Sequence, residues 1–250
     1  MRRAGVKHVL SGSWLGHPLH PLATDAVIGS WTMAALLDFR EDSRGSADRL
    51  LGIGILAAVP TAAAGLSDWA DMTEERTRRT GVVHAASNVA ALVLNTASYL
   101  ARKAGRRALG RSLTAASALP LAVGGFLGAH MAYARGVGVS RTVFDEWIEE
   151  WTVVSGEAPP GPEWSEARAG GMPVLARVRQ GQAASVVSGA CTHCGASLRP
   201  DADAEALRCP DDDSVFAAAD GAVLRGPATT PVARFEARLA ADRLEVRSPR

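Results

Sequence analysis

Four stretches of the chain are long and almost free of charge: residues 22–37, 50–67, 81–101 and 112–134. The first carries one acidic residue, Asp25, and the other three carry no Asp, Glu, Lys or Arg. A helix needs about twenty apolar residues to cross the hydrocarbon core, and the second stretch is marginal on that measure. Such runs also suit the buried helices of a soluble bundle. Four in series, joined by short polar connections at 40–49, 68–80 and 102–111, favour a membrane bundle. Glycines at 52, 54, 65, 124, 125 and 128 would let its helices approach closely, as packing in lipid requires.

The pattern changes after residue 135, where charges become scattered. Residues 140–154 (SRTVFDEWIEEWTVV) place Phe144, Trp147, Ile148 and Trp151 at helical spacing behind a Thr142/Asp145 capping box, which predicts a short amphipathic helix. Residues 155–171, rich in Pro, Gly and Glu, read as a tether or an irregular first edge of the next domain. Short runs at 172–178, 183–187, 206–208, 215–218, 222–224, 235–239 and 244–246 then read as strands separated by turns such as Asp220-Gly221. The expected architecture is an α-helical membrane bundle of four transmembrane helices (1–136), an amphipathic helix and linker (137–171), and a small all-β domain (172–250).

Composition narrows the function. Hydrophobic residues make up 47% and aromatic ones 5%, and the net charge of +1 comes with no contiguous basic face, which argues against a nucleic-acid partner. Membrane lipid is the expected environment. The cysteines number 3, all between positions 191 and 209, which points to metal or redox use rather than a disulfide framework. The basic start lacks a long apolar core and a small-residue cleavage site, so no cleaved signal peptide is expected. Lys and Arg divide evenly between the two sides of the four stretches and do not choose an orientation. Reduced thiols suit the cytoplasm, and a multi-pass cell-membrane protein with cytoplasmic termini is the expectation.

The chemistry concentrates in residues 191–216, which begin CTHCGASL and end CPDDDSVF. Cys191, His193, Cys209 and Asp212 form a Cys-x-His and a Cys-x-x-Asp pair, and Thr192, Gly195, Leu198, Pro210, Ser214 and Phe216 frame them. This stretch resembles the Rieske iron-sulfur family, in which Cys-x-His and Cys-x-x-His loops hold a 2Fe-2S cluster. Asp212 stands where the family has its second histidine, and Asp213 where it has a glycine. The following DGAVLRGPATTPVARFEARLAADRLEVR resembles the family's closing strands. The resemblance implies two thiolates on one iron and, on the other, His193 with Asp212 in place of a second imidazole. A carboxylate is a harder, anionic ligand that stabilises oxidised iron, so such a cluster would have a lower potential than its two-imidazole relatives. Cys194 is either a bystander thiol or a substitute ligand.

The helical half resembles a family of small bacterial four-span membrane proteins that open on a Gly-His-Pro-x-His-Pro segment. Residues 16–21 (GHPLHP), Asp25, residues 65–69 (GLSDW), His84, Asn88, Gly124, Gly125 and His130 carry the likeness, which implies a membrane fold and no particular chemistry. With four spans both termini share a side, so His17, His20, His84 and His130 are expected at one membrane face with Asp25 and Asp68. Each can cap a helix or bond a nearby backbone group. Together they form a second possible site, for a haem or a metal ion, with His84 and His130 as its best pair.

Two functions follow. One is a membrane-anchored Rieske-type protein that carries single electrons between an unknown redox partner and the bundle, an electron-transfer component more than a catalyst. The alternative is a cluster-free β domain that serves as a binding or scaffold module. No motif of two histidines and a carboxylate for a second iron follows the loops, which argues against a ring-hydroxylating oxygenase.

Overall fold

After a short α1 (Val6–Leu10), each apolar stretch folds as a helix that reaches past the apolar run into polar sequence: α2 (Leu19–Leu37), α3 (Arg44–Ala70), α4 (Glu75–Lys103) and α5 (Arg107–Ala129). The last continues as a π turn over His130–Ala134. The structure, a computed structural model, describes residues 5–156, 161–179, 184–201, 205–240 and 243–249. Two units divide the chain: Pro18–Gly138, and the N-terminal segment as far as His17 together with Val139–Arg250.

In the helical unit α2 packs chiefly on α3 and α4 on α5. Gly54 lies under Trp31, where an added Cβ would come within 2.4 Å of the indole nitrogen. Glu74 caps α4 by accepting the backbone N–H groups of Arg76 and Thr77 at 2.9 and 2.7 Å. Polar side chains share the interior with the apolar cluster of Val27, Trp31 and Leu51, while large apolar side chains face outward. Asn95, Ser98, Thr114 and Ser117 are buried, while Leu56, Leu119 and Phe126 are 74%, 73% and 71% exposed. Inside, Asn95 Nδ2 donates to the Ser117 hydroxyl at 3.0 Å, and the Ser98 and Thr114 hydroxyls are 2.8 Å apart. Two helices among the described residues, Arg44–Ala70 and Arg107–Ala134, are long and apolar enough to cross a membrane. Helix α4 gives buried positions to Asn95, Ser98 and Arg102, which lowers its hydropathy.

The other unit contains two antiparallel sheets built from β1 (Thr152–Val153), β2 (Ser165–Ala169), β3 (Met172–Arg177), β4 (Ser185–Ser188), β5 (Arg199–Pro200), β6 (Ala206–Arg208), β7 (Val215–Ala217), β8 (Val223–Arg225), β9 (Arg234–Ala240) and β10 (Arg243–Arg247). Their orders are β1-β10-β9-β4-β3-β2 and β5-β6-β7-β8. Successive side chains of a strand point to opposite faces. Val174 and Val186 accordingly enter one core with Phe235 and Val246, while Leu175 and Val187 enter another with Leu207, Phe216, Cys191 and Cys209. Burial on both faces explains the continuous apolar runs of β3 and β4. The first ligand loop connects β4 to β5 and the second connects β6 to β7.

The amphipathic helix expected over 140–154 does not form. Residues 141–144 make a turn and 145–149 are irregular. Ile148 is drawn out of the helical pattern because its backbone pairs with Ser248: its N–H donates to Ser248 Oγ at 3.1 Å and its carbonyl accepts the Ser248 N–H at 2.8 Å. That pairing seats Ile148 in the first β core, and β1 follows as an edge strand on β10. The expected tether is also partly strand, since β2 pairs with β3 from Ser165↔Ala176 to Ala169↔Met172. Ala183, expected to open a strand, lies outside the described residues. The N-terminal segment belongs to this unit as well: His8 Nδ1 accepts the Gly226 N–H at 3.3 Å, and Ser13 is buried.

Candidate metal centre

Two loops deliver the donors. In the first, the Gly195 N–H donates to the Cys191 carbonyl and the Cys191 N–H to the Ala196 carbonyl, each at 2.8 Å, a tight reversal that needs Gly195 at φ +84. In the second, the Asp213 N–H donates to the Cys209 carbonyl at 3.1 Å and the Cys209 N–H to the Ser214 carbonyl at 2.8 Å. Asp213 takes φ 61 there, so the position where the resembled family has glycine keeps glycine's conformation, which Asp tolerates better than most residues. The Thr192 hydroxyl donates to the Thr230 carbonyl at 2.7 Å, and the Ser214 hydroxyl accepts the Ala228 N–H at 3.0 Å. These bonds fix both loops to the segment after β8.

The expected ligands Cys191, His193, Cys209 and Asp212 come together. His193 Nδ1 lies 2.9 Å from Asp212 Oδ2, and the Cys191 thiol donates to the same oxygen at 3.4 Å. Cys191 and Cys209 are fully buried, whereas the His193 ring is partly exposed. The fifth group is Cys194, whose Sγ is 3.4 Å from Cys209 Sγ. Its place was legible only as an open question, because Cys-x-x-Cys is common without a metal. Burial pushes the Cys191 thiol up to about 12, assisted by the neighbouring Asp212 charge, and raises the Cys194 thiol too. Burial alone would raise Asp212; the hydrogen bond from His193 and the Ser214 N–H outweigh it and hold the carboxyl well below the usual carboxylate range.

Of the four histidines expected at one membrane face, the structure brings His20 and His84 together, with ring centroids 6.3 Å apart. Their Nδ1 atoms bond the carbonyls of Thr61 at 2.9 Å and Gly124 at 2.8 Å, and Asn88 Nδ2 is 3.0 Å from His84 Nε2. His130 stacks on Phe126 instead of joining His84, and His17 falls in the unit with the β sheets. Among the described residues these histidines form no group of three donors within reach of one ion.

Residues 16–141, just over half of the chain, match a family described as predicted membrane protein (DUF2231), and residues 151–236 match the Rieske 2Fe-2S domain. No curated protein matches. Among solved structures, the ferredoxin of carbazole 1,9a-dioxygenase from Nocardioides aromaticivorans IC177 is 20% identical, with 39% of this chain and 96% of that one covered at a TM-score of 0.32. A complex of reduced oxygenase and oxidized ferredoxin in carbazole 1,9a-dioxygenase contains a chain 24% identical, with 39% and 92% covered at the same TM-score of 0.32. A Rieske domain implies a 2Fe-2S cluster, and the donor chemistry fits one: two buried thiols, with an imidazole nitrogen and a carboxylate oxygen beside them. The chain belongs to the DUF2231 family of predicted membrane proteins and carries a Rieske 2Fe-2S domain behind that region.

Proposed function

We propose that the protein is a membrane-anchored one-electron carrier, with Cys191 and Cys209 on one iron of the cluster and His193 with Asp212 on the other. The convergence of His193 Nδ1 and Asp212 Oδ2 beside two buried thiols carries this reading. A bound cluster of this type accepts and releases one electron at a time. Buried Cys191 and Cys209 would exclude water from their side, and the partly exposed His193 edge would be the route to a redox partner. Asp212 adds negative charge where the family has a neutral ring, which would set the potential low.

All four long helices would span the membrane. What supports this is the outward display of apolar side chains on each of them, including Leu36 on α2 and Val93 on α4, with Asn95, Ser98, Thr114 and Ser117 buried between helices. Both termini and the β unit would then share one side, which we assign to the cytoplasm. A site in or on the bundle would exchange electrons with the carrier.

Iron and acid-labile sulfide, measured on the full chain after anaerobic purification, test the reading. Equal amounts of the two, with the electron paramagnetic resonance of a reduced 2Fe-2S centre, are expected. Protein that stays colourless and iron-free after anaerobic reconstitution would reduce the β domain to a cluster-free scaffold.

A further inference from the structure

The same two loops carry a second donor set with a different periodicity. Read without His193, they are a Cys-x-x-Cys pair (Cys191, Cys194) and a Cys-x-x-Asp pair (Cys209, Asp212). The ligand atoms of these four residues all lie within 4.8 Å of one another. Bonds of about 2.3 Å to sulfur and about 2.0–2.2 Å to oxygen separate the donors of one tetrahedral ion by roughly 3.5–3.8 Å. The Cys194–Cys209 sulfur pair and the Cys191–Asp212 contact, at 3.4 Å each, are slightly closer than that, so one ion needs only a small parting of the loops.

We propose that this tip also takes a single divalent ion of the zinc class, held by Cys191, Cys194, Cys209 and Asp212, with His193 as a positioning residue that orients the Asp212 carboxylate. The 2.9 Å approach of His193 Nδ1 to Asp212 Oδ2 is the contact by which a histidine steers a ligating carboxylate from outside the first ring of donors. Four protein donors leave no open position, which marks a structural ion and not a catalytic one. Three thiolates select a soft or borderline metal over magnesium or calcium. The exposure of Cys194 gives the ion a way in. The mononuclear centre uses the tip on which the electron-carrier reading rests but not that reading, since it requires neither sulfide nor His193 as a ligand. A zinc-loaded chain would be redox-silent, so the two metal states would divide the protein between carrier and non-carrier forms.

Anaerobic titration of the metal-free full chain with Co²⁺ tests the proposal. One ion per chain, with tetrahedral visible bands and intense thiolate-to-cobalt absorption that zinc abolishes, is expected. Cys194→Ser should weaken cobalt binding by at least about 100-fold, more than loss of an outer partner costs, and lower the thiolate absorption by a third; His193→Ala should weaken binding by about 10- to 100-fold with the thiolate absorption intact. Cys194→His, which keeps four donors, should recover much of the affinity, and this guards against a folding defect in the serine variant. Equal cobalt affinity and spectrum in wild type and Cys194→Ser would overturn the site. Loss of a reconstituted iron-sulfur cluster in Cys194→Ser would overturn the division of donors by making Cys194 a cluster ligand. Tight three-thiolate cobalt binding in a chain that never accepts iron and sulfide would uphold this site while ending the electron-carrier reading.

Discussion

His193 and Asp212 meet across two loops, nineteen positions apart in sequence, with Nδ1 2.9 Å from Oδ2. The pair stands where the Rieske family has two imidazoles. Asp212 also accepts the Ser214 N–H at 2.8 Å, so the carboxylate is held by its own loop as well as by the histidine. The substitution therefore leaves a built site, and in the proposed centre Asp212 would set its electronic character.

Asp212→Ala should lower cluster occupancy, because an iron left with one fewer protein ligand is open to hydrolysis. Asp212→His should raise the reduction potential, since a neutral ring replaces an anionic oxygen. The potential should also fall as pH rises, because each iron-bound imidazole that loses its second N–H proton adds negative charge. Protein-film voltammetry of the two variants beside the wild type, across a pH series, reads both effects. A potential equal to or below that of the wild type in Asp212→His would contradict the assignment of Asp212 to the cluster.

The metal-free protein should show an acid limb of stability that depends on the same residue. The folded state depresses the Asp212 pKa, with burial opposed and outweighed by hydrogen bonds from His193 and the Ser214 N–H. A depressed carboxyl contributes stability that is present above its unfolded value, about 3.9, and is lost as pH falls toward the folded value. Denaturant midpoints of the metal-free chain should therefore decline below about pH 4. Asp212→Asn should remove that part of the decline.

The parts of the fold that were legible in the sequence are those whose chemistry acts locally. Four nearly uncharged runs made four helices, and cysteine, histidine and aspartate at fixed spacing made the two loops. Residues 140–154 misled because a helical spacing of Phe144, Trp147, Ile148 and Trp151 is also what an irregular segment shows when one residue is buried and its neighbours face outward. The deciding partner, Ser248, is 100 positions away. His20 was grouped with His84 but not singled out as its neighbour for the same reason: each ring is held by a carbonyl about 40 residues distant. Strand β2 reads SEARA, and charged outward positions hid a half-buried strand in a polar segment.

Ile148 and Trp147 supply a direct test of that account. Ile148 sits in the β core, and truncation to Ala should cost about 2–5 kcal/mol. Trp147 is 65% exposed, and Trp147→Ala should change stability by no more than about 0.5 kcal/mol. An amphipathic helix with both residues on its apolar face would make the two losses comparable. Chemical denaturation followed by far-ultraviolet circular dichroism distinguishes these outcomes.

The histidine pair of the helical unit depends on glycines. A Cβ at Gly65 would lie 2.7 Å from His20 Cε1, and one at Gly124 would lie 2.4 Å from Asn88 Oδ1. Neither fits without displacing the ring or the amide that Gly leaves room for. Gly65→Ala and Gly124→Ala should each destabilise the unit by about 1–3 kcal/mol, while Gly125→Ala, which meets open space, should have little effect. Thermal unfolding in detergent gives the ranking.

The most consequential single side chain in the helical unit is Arg102. Its side chain is fully buried, and it joins α4 to the α2–α3 hairpin. Nη1 donates to Asp38 Oδ1 at 2.7 Å and to Asp48 Oδ1 at 3.2 Å, Nη2 donates to Asp38 Oδ2, and Nε donates to the Ser98 hydroxyl at 3.1 Å. Arg107 closes the network, with Nη1 3.2 Å from Asp48 Oδ1. A buried ion pair adds little net stability over a well-packed apolar pair, but removing one partner strands the other charge. Arg102→Met should therefore cost about 3–5 kcal/mol, because Asp38 stays buried with only the longer contact to Arg107 at 3.4 Å. Arg102→Met combined with Asp38→Leu should regain most of that loss by removing the stranded carboxylate. A double variant no more stable than Arg102→Met alone would show that the guanidinium holds the two hairpins together through Asp48 rather than through its pairing with Asp38.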